Sequence, residues 1–77
     1  MNWVRTEERD PDTINHTDWG DQSIFLLLDY GIDSPERYIV GIFEKAETDD
    51  GVLYSHWIEP VDGDELAPPK RWCYIEE

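Results

Sequence analysis

Basic residues are scarce: 6 Lys and Arg stand against 19 Asp and Glu in 77 residues, a formal net charge of -13. A field of that sign repels nucleic acid and anionic membrane and attracts basic surfaces, so neither polyanion is an expected direct partner. Cysteine is almost missing. Cys73 stands alone, so no internal disulfide can form, and its expected place is that of a small apolar filler in a chain suited to a reducing compartment. Long apolar runs are missing as well: Ser23 to Tyr30 is far shorter than the about 20 residues of a membrane span. The opening Met1-Asn2-Trp3-Val4-Arg5-Thr6-Glu7-Glu8 lacks the basic and then apolar stretches of a secretory leader, which leads to the expectation of a soluble, cytoplasmic protein. Asn15-His16-Thr17 matches a glycosylation sequon, but a sequon is used only on a secretory route, for which nothing else argues.

Catalytic and ligand motifs are thin in the same way. The only histidines are His16 and His56, in a loop-like and a strand-like stretch, and neither sits in a pattern that pairs a base with a nucleophile. With 19 acids some carboxylates must lie close together, so proximity is no signal of glycosidase-like chemistry. Asp49-Asp50-Gly51 and Asp62-Gly63-Asp64-Glu65 offer hard oxygen ligands without the spacing of a calcium loop, and His16, His56 and Cys73 lack the spacing of a zinc site. There is no glycine-rich phosphate loop. The expectation is no enzyme, no metal and no cofactor.

Aromatic residues are what the chain has in quantity. Four Trp, four Tyr and two Phe in a sequence that is 39% hydrophobic separate it from disordered acidic tails and give enough apolar area for one small domain over residues 1–77. The pattern predicts a mainly β fold, or a small α+β variant with one helical turn near Glu44 to Thr48 or Asp62 to Leu66. Its centre is a three- to four-stranded antiparallel meander. Ser23 to Tyr30, a continuous apolar run closed by Gly31, reads as a strand buried on both faces. Gly31 to Pro35 reads as a hairpin connection to a second strand over Arg37 to Glu44, rich in β-branched and aromatic residues. Asp49-Asp50-Gly51 is the strongest turn signal, followed by a third strand over Val52 to Ile58. Pro60 and Pro68-Pro69 frame an acidic connection to Arg71 to Ile75, expected as an edge strand or docked tail. The polar first 22 residues should be irregular, anchored by Trp3 and Trp19. Leu26, Val40, Trp57 and Trp72 are the expected core.

Several of these elements together resemble a family of short phage and prophage proteins of unknown function. They are Trp3-Val4 followed by Arg9-Asp10-Pro11, the apolar strand before a Gly turn, Tyr38-Ile39-Val40-Gly41-Ile42-Phe43, and Pro69-Lys70-Arg71-Trp72. The resemblance implies a phage or bacterial origin, hence a bacterial host cell, and a small sheet fold. It attaches no activity.

The charge is distributed unevenly. From Ala46 to Leu66 there are seven acids and no Lys or Arg. Six of them, Glu47, Asp49, Asp50, Asp62, Asp64 and Glu65, are the candidate partner-binding residues, because they fall mostly in turns that project from a sheet. Duplex DNA carries one charge per about 1.7 Å of axis, so a rigid display of carboxylates can occupy a basic nucleic-acid groove. The expected function is that of a non-enzymatic, phage-encoded, DNA-mimic-like inhibitor or adaptor, of the anti-CRISPR or anti-restriction kind, whose partner is a basic host protein that binds nucleic acid. Two alternatives stay open: an aromatic protein-interaction surface built from Tyr54, Trp57, Trp72 and Tyr74, or acidity that serves only solubility or salt adaptation.

Overall fold

A computed structural model of the chain describes residues 2–18, 20–31 and 38–75. Eight antiparallel strands form an open sheet, and none of the described residues lies in a helix, so none forms one long and apolar enough to cross a membrane. The strands are β1 (Val4–Arg5), β2 (Asn15–His16), β3 (Asp21–Gln22), β4 (Leu26–Asp29), β5 (Tyr38–Glu47), β6 (Leu53–Ile58), β7 (Glu65–Leu66) and β8 (Arg71–Tyr74).

The expected meander is present as β4, β5 and β6, each paired antiparallel with the next. Its second turn forms where the sequence marks it. Thr48 N–H donates to the Val52 carbonyl and Gly51 N–H to the Thr48 carbonyl, both at 2.9 Å. Gly51 supplies the positive φ of 82° that closes a three-residue hairpin connection. Of the expected first turn, Gly31 to Pro35, residues 32–35 lie outside the described residues, as does the anchor Trp19.

β5 is the spine of the sheet. Its first half, Tyr38 to Gly41, pairs with β4, while its second half pairs with β6 on one edge and with β3 on the other. β3 and β4 therefore lie along the same edge of β5, separated by Ser23 to Phe25. The register slips by one residue between them, from Gln22↔Glu44 to Leu26↔Gly41, which defines a bulge. Buried Ser23 bridges it: its N–H donates to the Phe43 carbonyl at 2.8 Å, and its Oγ accepts from Phe43 N–H at 3.0 Å. Gly41 is needed at the crossing. A Cβ there would stand 2.4 Å from Cδ1 of Leu28, which has no solvent-facing surface and little room to retreat.

The core consists of Leu26, Leu28, Phe43, Trp57 and Trp72, with Val4, Tyr30, Leu66 and Tyr74 packed at its margin. Phe43 and Trp57 face each other across β5 and β6, with ring centroids 4.8 Å apart. The N-terminal segment is docked by polar contacts as much as by apolar ones. Trp72 Nε1 donates to the Arg9 carbonyl at 3.0 Å, the Arg9 guanidinium lies 5.5 Å from the Trp72 ring, and Asp12 N–H donates to the Tyr74 hydroxyl at 3.0 Å. Trp3 anchors as expected, against Tyr38 at 5.4 Å and beneath the Arg71 guanidinium at 4.6 Å.

Four expectations are corrected. The C-terminal strand is not an edge: β8 lies between β1 and β4, and its two middle residues, Trp72 and Cys73, are both buried. The run Ile24 to Leu28 is buried on one face only, because the bulge turns Ile24 and Phe25 outward while Leu26 and Leu28 face the core. Val40 is 43% exposed, since it sits opposite Leu27 on the face away from Leu26 and Leu28. The N-terminal segment is less irregular than its composition suggests, contributing β1, β2 and β3.

Exposure separates the expected core residues energetically. Trp57→Ala removes a buried aromatic, and urea titration is expected to show a loss of about 3–5 kcal/mol, close to the whole stability of so small a domain. Val40→Ala, on the open face, is expected to cost less than about 1 kcal/mol.

Candidate functional site: two acidic turns and an apolar groove

The six candidate acids are all exposed, and the fold divides them into two sets. Glu47, Asp49 and Asp50 sit at the β5–β6 hairpin. Asp62, Asp64 and Glu65 sit at the β6–β7 turn, at the opposite end of β6. The six residues of β6 separate the two sets by about 20 Å. Each turn is closed by its own hydrogen bonds. In the β5–β6 turn Thr48 Oγ1 accepts from Val52 N–H at 3.1 Å. In the β6–β7 turn the Glu59 carboxylate accepts from Asp62 N–H at 2.8 Å and Val61 N–H at 3.2 Å. These backbone bonds, Asp62 first and Val61 second, hold the Glu59 carboxyl below its ordinary range.

Two of the remaining acids are buried, each with its charge satisfied. Asp29 accepts from Arg71 Nε at 2.6 Å and from Gly31 N–H at 2.8 Å. Glu44 stands opposite His56 in the β5–β6 register, where His56 Nε2–H donates to Oε1 at 2.6 Å. Gln22, from β3, donates to the other oxygen, Oε2, at 2.7 Å. Burial pushes the Glu44 carboxyl up, but the bonds from Gln22 and His56 and the attraction of the imidazole together outweigh it, leaving the group below its ordinary range. Glu65 Oε1 lies 3.5 Å from the other ring nitrogen, Nδ1, so one of the six candidate acids is already engaged with His56. His16 forms a separate, exposed pair with Asp21 at 2.6 Å. Among the described residues no group of three or more His, Cys, Asp and Glu is arranged to hold a metal ion.

The feature that inspection of the sequence missed is apolar. Ile24 and Phe25 of the bulge, Ile39 and Val40 of β5, Pro60 and Val61 of the β6–β7 turn, and Ile75 after β8 line one groove, with Glu59 among them. Phe25 is 57% exposed and Val61 86%. These side chains form one contiguous apolar surface rather than being scattered singly. The bulge creates it by rotating half of an apolar run out of the core, and bulge positions are not readable from periodicity. The aromatic surface considered as an alternative does not form from the residues proposed for it. Trp57 and Trp72 are core and Tyr74 is half-buried, leaving only Tyr54 exposed.

Comparison with protein families, curated proteins and solved structures finds no match for this chain.

The Glu44 cluster gives a pH test. Because the folded carboxyl titrates below its unfolded value of 4.5, it contributes stability above that pH and loses it as the pH falls through the lower, folded value. Glu44→Gln should therefore lower the urea midpoint near pH 7 and leave a shallower fall in stability on acidification below about pH 4.5. Parallel acid titrations of the two proteins with equal slopes would show that the carboxylate is not held by Gln22 and His56.

Proposed function

We propose that this protein is a non-enzymatic acidic inhibitor or adaptor, phage-encoded and acting in the bacterial host cytoplasm. Its partner is a basic surface of a nucleic-acid-binding host protein, which it occupies in place of nucleic acid, as an anti-CRISPR or anti-restriction protein would. One observation carries the reading: two hydrogen-bonded turns display six exposed acids in a stretch that holds no Lys or Arg from Ala46 to Pro69. The hydrogen bonds order the backbone of both turns in advance, so the backbone share of the ordering cost of binding is reduced here. The separation of the two sets by the length of β6 favours a partner with basic residues at two places, as in a groove that contacts a nucleic-acid backbone more than once.

Individual acids should matter little, since exposed pairs are worth about 0–1 kcal/mol each. A chain with Glu47, Asp49, Asp50, Asp62, Asp64 and Glu65 changed to Asn or Gln is expected to recover much less partner from a bacterial lysate at low salt. The parent chain should lose the same partner as salt is raised. The recovered partner should release DNA when the parent chain is added. A partner held equally by both chains, and equally at high salt, would overturn the proposal.

A further inference from the structure

We infer that the apolar groove receives an extended, basic segment of that partner, which joins the sheet as an additional strand along the open edge of β5. The inference rests on the proposed function for the sign of the partner's charge, and on three features of the groove itself for the rest. The first is the edge. β6 ends at Ile58, opposite Ile42, so among the described residues no strand pairs with the preceding part of β5 on that side. Phe43 exchanges its backbone bonds with Ser23 on the β3–β4 side. The alternation of a strand then directs the N–H and C=O of Val40, three residues away, to the opposite edge. That edge offers a donor and an acceptor beside the groove.

The second feature is the lining. Ile24, Phe25, Val40, Val61 and Ile75 are too exposed to be explained by the core, and they border this edge rather than being scattered over the surface. A strand lying there can set alternate side chains into the groove while its main chain bonds to Val40, which is the usual economy of peptide capture by strand addition. The third feature is charge. Glu59 lines the groove, and the same turn carries Asp62 and Asp64. A second copy of this chain would bring another formal charge of -13 against that turn, whereas a segment with lysine or arginine beside its apolar residues brings the opposite sign. The occupant that satisfies edge, lining and charge together is an extended segment with alternating apolar residues and basic flanks.

The test uses the full chain and a labelled synthetic peptide, Lys-Lys-Val-Thr-Val-Thr-Val-Lys-Lys, followed by fluorescence anisotropy. Two controls keep its charge: one replaces valine with serine, and the other carries N-methyl groups on every peptide nitrogen between the lysine pairs. The parent chain should bind the first peptide in a salt-sensitive way and both controls at least about tenfold more weakly, the first control losing apolar burial and the second the edge bonds. A Phe25→Ser, Val61→Ser double variant should lose binding to the same degree. Both positions are exposed, so the near-UV signal of the buried Trp57 and Trp72 should be unchanged. Equal binding of all three peptides, unchanged in the double variant, would overturn the groove while leaving the acidic reading intact. Binding that needs Phe25 and Val61 but survives neutralisation of the six acids would keep the groove and overturn the acidic reading. A concentration-dependent dimer that the double variant abolishes would assign the groove to a second copy and overturn this inference.

Discussion

Ten residues of β5 have to serve as a member of two differently composed pairings, with β4 along its first half and with β3 and β6 along its second. A flat strand cannot satisfy both while its partners close over one core. Two local devices resolve the conflict. Gly41 removes the side chain where Leu28 passes closest, and the Ser23 to Phe25 bulge takes up the extra residue on the neighbouring edge, with the Ser23 hydroxyl serving as acceptor for Phe43 N–H. The outward turn of Phe25 follows from that bulge. A change at Gly41 or Ser23 thus acts on the arrangement of the whole sheet rather than on a single contact.

The second constraint is electrostatic. A small core must hold together a chain whose net charge of -13 favours expansion. The fold keeps most of the described acids in exposed turns and loops, where water and salt screen them, and among the described residues only Asp29, in β4, and Glu44, in β5, are buried. Each of those two is satisfied by donors from other strands: Arg71 of β8 for Asp29, and Gln22 of β3 with His56 of β6 for Glu44. These bonds cross-link strands far apart in sequence, so the buried acids tie the sheet together as well as being tolerated by it. Their ionisation is favourable only while those partners stay in place.

Strand positions were legible because the period of two and the turn chemistry act locally. Asp49-Asp50-Gly51 fixes its hairpin register outright: Glu44 and His56 lie six residues either side of Asp50, so their pairing could have been read from the turn alone. What escaped was set by contacts distant in sequence. The place of β8 between β1 and β4 depends on Val4, Leu28 and Trp72 meeting across more than forty residues, which no local window contains. The exposure of Val40 and Phe25 depends on a bulge, and a continuous apolar run looks the same whether one face or both are covered. The six acids were visible as exposed turn residues. Their division between the two ends of β6 follows only once that strand is known to be straight between two turns.

Acidity and the apolar groove are best understood together. An open strand edge beside exposed Ile, Val and Phe is a template for pairing with another copy, and small sheet proteins must defend against it. Proline offers one defence, and Pro60 stands at the end of β6; charge offers another. With Glu59 in the groove and Asp62 and Asp64 in the adjoining turn, an approaching copy meets like charge at the site where its edge would pair. On the reading proposed above, the same field admits a basic strand. Self-repulsion and partner choice are, on that reading, two consequences of one charge distribution rather than competing explanations of it: the repulsion that keeps identical edges apart is, for a segment of opposite sign, the attraction that brings it in.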